Sequence, residues 1–391
     1  MPDAGTLALL LLPVAAATGW YLARRVARRQ TGTQPGVNVD YLHGLNHLVN
    51  DDADKAIQAF TRLLEVDHDT VEIHLALGNL FRRQGEVDRA LRIHQNLVAR
   101  PNLDDQQRSH ARFELARDYL RAGMLDRAED LLREISGQPA FREQALSGLV
   151  SIYEQERDWL QALTTTRELE AVRGHSLRPV IAQYLCELAD LERRRRDYPA
   201  AISHLRDAYG EYRECVRASL MQGEIEEATG NYESAVRLYR RVVDQDIEFV
   251  GEVIEPLARC YERLSRPGEL LSFLEQIAAQ YDGPAPRIAI AREFARNGDA
   301  SRAQTYLAQA LQSKPSWIGL DQLLQLTPAT TDPLQPSVDS MRNALKRVTD
   351  ASPRYQCNQC GFHARVLYWQ CPGCRQWNSV MPLKDVIPKI V

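Results

Sequence analysis

Through most of the chain, apolar residues recur every three to four positions, the spacing of helices that bury one face. A longer period runs through that pattern. Ala56, Ala90, Ala128, Ala162, Ala201, Ala235 and Ala303 follow one another at intervals of 34, 38, 34, 39, 34 and 68 residues. The last interval is twice 34, and Leu270 fills the missing step one residue out of register. Twelve residues before each lies a second column: Gly44, Gly78, Ala116, Val150, Ala189, Gly223, Ala258 and Ala291. Four residues after each lies a third: Phe60, His94, Leu132, Thr166, Leu205, Tyr239, Leu274 and Leu307. Two helices cross closely where each offers a tiny side chain, so the first two columns mark the crossing points of paired helices.

Turn signals fall between the two helices of a pair, at Gln84-Gly85, Ala122-Gly123, Gly230-Asn231 and Asn297-Gly298. Glycine there suits the left-handed residue that closes a helix. A period of 34 is that of tetratricopeptide (TPR) repeats. Leu77-Gly78 with Phe81, Gly85 and Ala90, and Leu115-Ala116 with Tyr119, Gly123 and Ala128, follow it best. Thr166 and His94 depart from it, standing where an aromatic or Leu is usual. The expected fold is all-α: a TPR-like helical-repeat solenoid of about eight helix pairs over 40–326, ended by Pro315 after the eighth. Such arrays bind peptides or proteins along a concave face.

The two ends break the pattern. From Ala4 to Ala23 no charged residue occurs. Twenty residues rising about 1.5 Å each cross a hydrocarbon core of about 30 Å. Trp20 and Tyr21 stand at the headgroup level, and Arg24, Arg25, Arg28 and Arg29 follow at once. Positive charge after the apolar run argues for an uncleaved single transmembrane helix over 1–23 and places the rest of the chain in the cytoplasm. Residues 24–39 read as a basic juxtamembrane linker. Residues 327–352 read as a second linker, proline-rich at first, with a short helix over 337–348 whose N-cap is Ser337.

The 391 residues are 44% hydrophobic and 26% charged, with a net charge of −4, which gives no electrostatic footprint for nucleic acid. Of seven cysteines, Cys186, Cys215 and Cys260 are scattered through helical sequence and read as inert core residues. Cys357, Cys360, Cys371 and Cys374 fall within 18 residues, as two C-x-x-C units. Each unit wraps a tight turn, eased by Gly361 and Gly373, and four thiolates in a tetrahedron suit zinc or iron. A disulfide pairing or redox dithiol is the competing reading. Tyr355, Phe362, Tyr368, Trp369 and Trp377 surround the ligands and are expected to form the small core of a metal-dependent domain over 353–391. No phosphate-binding loop, dinucleotide fingerprint or nucleophile elbow occurs, so the chain reads as a non-catalytic adaptor.

Three segments together resemble the lipopolysaccharide assembly protein B family: LLLLPVAAATGWYLARR near the start, GNLFRRQGEVDRALRIHQ over 78–95, and the tail PRYQCNQCGF with LYWQCPGCRQW. The resemblance covers essentially the whole chain. It implies a single-pass protein of the Gram-negative inner membrane, with the N-terminus periplasmic and the repeats cytoplasmic. It implies a rubredoxin-like domain packed against the repeats, with Cys357, Cys360, Cys371 and Cys374 as ligands and iron as the favoured metal. The implied function is control of lipopolysaccharide synthesis, by promoting degradation of the deacetylase LpxC by the membrane protease FtsH. FtsH, LpxC and other lipopolysaccharide-assembly membrane proteins are the implied partners, and self-association is left open. The loop between knuckles is shorter than in true rubredoxins, which weakens the alternative of an electron-transfer membrane protein.

Overall fold

The structure, a computed structural model, describes residues 46–47, 53–66, 71–327 and 335–385. The expected membrane span, the Arg24, Arg25, Arg28 and Arg29 cluster and the first linker lie outside these residues. Among the described residues no helix is long and apolar enough to cross a membrane. Seventeen α-helices of at least ten residues are described, and a small three-stranded sheet follows them. The fold is a TPR-like helical-repeat solenoid with a C-terminal four-cysteine module. The chain divides into two compact units, Met1–Gly148 and Leu149–Val391.

The first unit contains the helix Ala53–Val66, the pairs Val71–Arg83 with Val87–Val98 and Asp105–Arg121 with Leu125–Ile135, and the start of Arg142–Glu156. The second contains the rest of that helix with Trp159–Arg173, then four pairs: Arg178–Arg194 with Tyr198–Glu211, Val216–Ala228 with Tyr232–Gln245, Val250–Arg263 with Pro267–Gln280, and Ala285–Arg296 with Ala300–Ser313. Trp317–Leu326 and Gln335–Ala351 close the helical part. The last is longer at both ends than the helix read over 337–348.

The periodic columns run along the buried seams of these pairs, except that in the second column Val150 is only half-buried and Gly44 lies outside the described residues. Every alanine of the first column is fully buried, as is Leu270. All eight residues of the third column are buried. Their large side chains fill the space that the small column leaves. A Cβ on Gly223 would stand 2.6 Å from Cε1 of Tyr239, and one on Gly78 would meet the His94 ring. His94 tolerates burial because its Nδ1 lies 2.5 Å from Oδ2 of Asp118. Asp118 also accepts from Arg82 at 2.8 Å, and Arg82 bonds Glu114 at 2.5 Å. This buried cluster accounts for His94, though not for Thr166, in a mostly apolar column: Asp118, Glu114 and Arg82 find one another before they are desolvated.

The turns within pairs carry one left-handed residue each. Gly85, Gly123, Gly230 and Gly298 have φ between 73° and 86°. At the corresponding turns of the other pairs stand Arg157, Arg196 and Ser265, with φ of 60°, 64° and 58°. Arg196 ends the run of four arginines from Arg193; Arg193 and Arg194 both pair with Asp190, at 2.6 Å each.

Candidate metal centre and its docking face

The module after the helices is built on three short antiparallel strands, β1 (Tyr355–Cys357), β2 (His363–Ala364) and β3 (Val380–Pro382), in the order β2-β1-β3. Tyr355 pairs with Ala364 on one side and Pro382 on the other. The first knuckle is the turn between β1 and β2. The second is enclosed by a bridge between Gln370 and Trp377. The two knuckles repeat one hydrogen-bond pattern. Cys357 N–H donates to Phe362 O at 2.8 Å and Cys371 N–H to Gln376 O at 3.0 Å. Gly361 N–H donates to Cys357 O at 3.0 Å and Arg375 N–H to Cys371 O at 2.8 Å.

This repetition corrects one expectation. The left-handed residue of the first knuckle is Gly361, at φ 74°, but its counterpart in the second is Arg375, at φ 58°, and not Gly373. Gly373 serves differently: a Cβ there would come within 3.3 Å of the Cys360 sulfur, so glycine keeps room beside the ligand cluster.

The knuckles bring all four predicted cysteines together, every Sγ within 4.8 Å of every other. Cys357 and Cys374 are 3.7 Å apart, and Cys360 and Cys371 are 3.6 Å apart. Four sulfurs at about 2.3 Å from a central ion would be separated by about 3.8 Å, so the set fits one tetrahedral metal. The thiols are unequal. The Ser379 hydroxyl beside Cys357, at 3.4 Å, and the backbone N–H groups of Cys360 and Gln359 favour its thiolate and pull it down to about 6. The Phe362 N–H favours the Cys360 thiolate too, but partial loss of water beside the three neighbouring sulfurs and the hydrogen bonds to them outweigh it and push Cys360 up to about 12, although the residue itself is exposed. A cation at the centre removes this conflict by stabilising all four thiolates at once.

The aromatic side chains divide between two tasks, which corrects the single mini-core expected from sequence. Tyr355, Cys357, Ala364, Cys371 and Val380 form the module's own core, with Phe362 packed on it. Phe362 makes an edge contact with Tyr368 at 6.3 Å. Trp369 and Trp377 point the other way, into the repeats. Trp377 sets its ring edge-on to Trp159 at 6.1 Å and to Tyr184 at 5.8 Å. Its Nε1–H donates to Oε1 of Glu154 at 2.7 Å, and Tyr184 O–H donates to the same atom at 2.6 Å. Gln370 Nε2 reaches the other carboxylate oxygen at 3.2 Å. Burial and the Glu154 charge together push the Tyr184 phenol far above its ordinary range. Trp369 stacks on Phe249 at 5.7 Å and 10°, with the Arg217 guanidinium over its ring.

Polar contacts extend the docking face along four successive repeat pairs. Gln183 donates to Asn378 at 2.7 Å, Tyr355 O–H donates to Glu252 at 2.8 Å, and Lys384 pairs with Glu248 at 3.0 Å. Asp385 accepts from the backbone N–H groups of Trp317 and Ile318, at 2.8 and 3.2 Å, where a helix N-terminus favours a carboxylate. Glu154, Gln183, Phe249 and Glu252 were invisible as site residues, because a repeat helix shows no sequence signal for the partner its exposed face meets.

The comparisons with known proteins cover the same ground. Residues 355–382 match the family model described as rubredoxin metal binding domain, and 41–103 and 186–248 match that of the tetratricopeptide repeat. The protein named lipopolysaccharide assembly protein B in Escherichia coli strain K12 is 36% identical over 383 residues, which is 97% of this chain and 98% of that one. The chain belongs to the lipopolysaccharide assembly protein B family. The Haemophilus influenzae member is 34% identical over 398 residues, again covering 97% of this chain and 98% of its own. Membership rests on these end-to-end identities, which span the repeats and the metal module alike.

Proposed function

We propose that this protein is a membrane-anchored, cytoplasm-facing adaptor that regulates lipopolysaccharide biosynthesis, and that it does so by promoting FtsH-dependent proteolysis of the LpxC deacetylase. The observation that carries the reading is the end-to-end match to the lipopolysaccharide assembly protein B family, with the cysteine module docked along the repeat helices. In this reading Cys357, Cys360, Cys371 and Cys374 hold one metal ion, iron by kinship with rubredoxins, although the four-thiolate set accepts zinc as well. The metal's contribution is structural: it ties the two knuckles together. The protein's own residues then hold the folded module, through Trp369, Trp377 and Glu154, as one wall of a docking surface.

Residues 1–23 are the anchor, oriented by Arg24, Arg25, Arg28 and Arg29. Confinement beside a membrane protease raises the effective concentration of a bound substrate. A soluble truncation lacking the first 29 residues should therefore lose function with its repeats still folded, and full complementation by it would count against the reading.

The decisive comparison is the proteome of cells with and without this protein, FtsH being present throughout. LpxC should accumulate on depletion, and a Cys371→Ser variant should fail to restore it. If no FtsH substrate changes in abundance, the adaptor reading fails. Zinc-loaded protein should retain function; loss of function on exchanging iron for zinc would instead favour electron transfer.

A further inference from the structure

A second pair of thiols lies inside the repeats, away from the knuckles. Cys186 stands within the helix Arg178–Arg194, and Cys215 is the N-cap of Val216–Ala228. Both are fully buried, and their sulfurs are 3.9 Å apart. That is van der Waals contact, about 2 Å longer than a disulfide bond.

The two sulfurs differ in a way that assigns them roles. The Cys186 thiol bonds to Cys215, and the N–H groups of Ala218 and Arg217 at the start of the helix, with the Arg217 charge, also favour the Cys215 thiolate. Cys186 lies in mid-helix without such N–H donors, and burial, with the neighbouring Cys215 and Glu187, outweighs the Arg217 charge and holds it in the thiol form. A nucleophilic thiolate beside a thiol that can resolve it is the chemistry of redox-sensing cysteine pairs. Such pairs are usually exposed, whereas here both sulfurs are buried, so a small oxidant has to reach them by local opening, and the pair is more than the inert core expected from sequence. In a reducing compartment, disulfides that do form are mostly transient and sensing.

The pair lies under the docked module. Gln183 Nε2 is 3.8 Å from the Cys215 sulfur and 2.7 Å from Asn378 Oδ1. Arg217 donates to Gln183 at 3.3 Å and to Glu187 at 2.9 Å while lying over the Trp369 ring. Whatever tightens the two helices beneath Gln183 and Arg217 therefore acts on residues that hold the module.

We propose that Cys186 and Cys215 are a redox-modification site, converted by a hydroperoxide into a disulfide that staples the two repeat helices beneath the metal module. With hydrogen peroxide, the Cys215 thiolate attacks one oxygen and the O–O bond breaks. The departing hydroxide takes up the proton that Cys215 had released and leaves as water. Cys215 is then a sulfenic acid. The Cys186 sulfur attacks the Cys215 sulfur, the S–S bond forms and the S–O bond breaks. The hydroxide so released takes the Cys186 proton and leaves as a second water. Two thiols lose two electrons and two protons, and one peroxide becomes two waters. The site is independent of the adaptor reading and stands or falls by itself.

The test uses the full-length, zinc-loaded protein treated with hydrogen peroxide, alkylated, digested without reductant and mapped by mass spectrometry. The expected result is a cross-linked pair of peptides containing Cys186 and Cys215, two hydrogens lighter than their sum, formed before zinc is released. The thermal midpoint should rise by several degrees and return on reduction. In a Cys186→Ser variant, dimedone should trap Cys215 as its sulfenic acid. The proposal is overturned if the wild-type peptides stay separate while the knuckle cysteines oxidise, or if Cys186 and Cys215 are each driven to sulfinic acid without a cross-link. Dimedone trapping at Cys186 in a Cys215→Ser variant, with none at Cys215 in Cys186→Ser, would overturn the assigned order of attack.

Discussion

Replacing Trp377 with Ala asks how strongly the metal module is held to the repeats. The substitution removes two edge-on aromatic contacts, with Trp159 and Tyr184. Each is worth about 0.5–1.5 kcal/mol beyond simple burial. It also removes the 2.7 Å hydrogen bond to the Glu154 carboxylate. A bond to a charged group contributes about 1.5–3 kcal/mol. Tyr184 and Gln370 still bond Glu154, so the carboxylate is not orphaned and the lower half of that range applies. Together these give a loss of about 3 kcal/mol, at the low end for a tryptophan truncation, as suits a half-buried ring. The docking equilibrium should fall about 10²-fold. Because Trp377 is not among the clustered sulfurs, metal stoichiometry should be unchanged. Denaturant unfolding followed by two probes tests this. The near-ultraviolet dichroism of the packed aromatics should move to lower denaturant and separate from the far-ultraviolet helix signal. Trp377→Phe, which keeps most ring contact, should recover about half of the loss. If both transitions stay coincident and shift by less than about 0.5 kcal/mol, the aromatic face does not hold the module and the reasoning fails.

Gly223→Ala should destabilise the second unit by about 1–3 kcal/mol, because the Tyr239 ring cannot swing aside while its hydroxyl bonds Glu227 at 2.9 Å; an unchanged melting midpoint would show that the crossing has slack. Asp118→Ala leaves His94 Nδ1 without its partner in the interior and Arg82 with Glu114 as its remaining carboxylate, and should cost about 1–3 kcal/mol, measured by urea unfolding; a loss below about 0.5 kcal/mol would mean that water reaches the cluster. Burial raises the Glu252 carboxyl above its ordinary value, against the pull of its Tyr355 bond. The fold therefore prefers the neutral acid. That preference contributes fully below the unfolded carboxylate range, near pH 4, and is lost as pH rises through the raised value. The stability difference between wild type and Glu252→Gln should thus change over that interval, and a flat difference would refute the assignment.

The repeats were legible because their geometry demands a specific residue size at a fixed interval. A seam that favours a tiny side chain writes itself into the sequence: seven alanines and Leu270 fill the eight positions of the first column, and all are buried. The left-handed turn residues were legible only where glycine fills them. Arg157, Arg196 and Ser265 adopt the same backbone without advertising it. Cysteine spacing located the knuckles for a similar reason: four ligands of one ion must lie near two tight turns. It could not reveal which way the module's aromatics face. Trp369 and Trp377 were assigned to the module's interior because a small domain needs a core, yet the core needed only Tyr355, Phe362 and their small neighbours. The surplus tryptophans pack against residues laid down between 120 and 218 positions earlier, and burial against a distant surface leaves no local mark.

That distance also has a bearing on how the chain is made. Contacts between adjacent repeats join residues 32 to 37 apart, as Arg259 and Glu227 or Arg292 and Glu255 do. The bond between Trp377 and Glu154 spans 223 residues. For a flexible chain, closing the longer loop costs about 2 kcal/mol more. During synthesis the repeats can form one after another as they leave the ribosome, but Trp159, Tyr184 and Phe249 must wait for the metal module that carries Trp369 and Trp377. Until then a strip of aromatic surface is uncovered on a nascent chain that is otherwise folded, and it is there that a chaperone would bind and a premature stop would be felt.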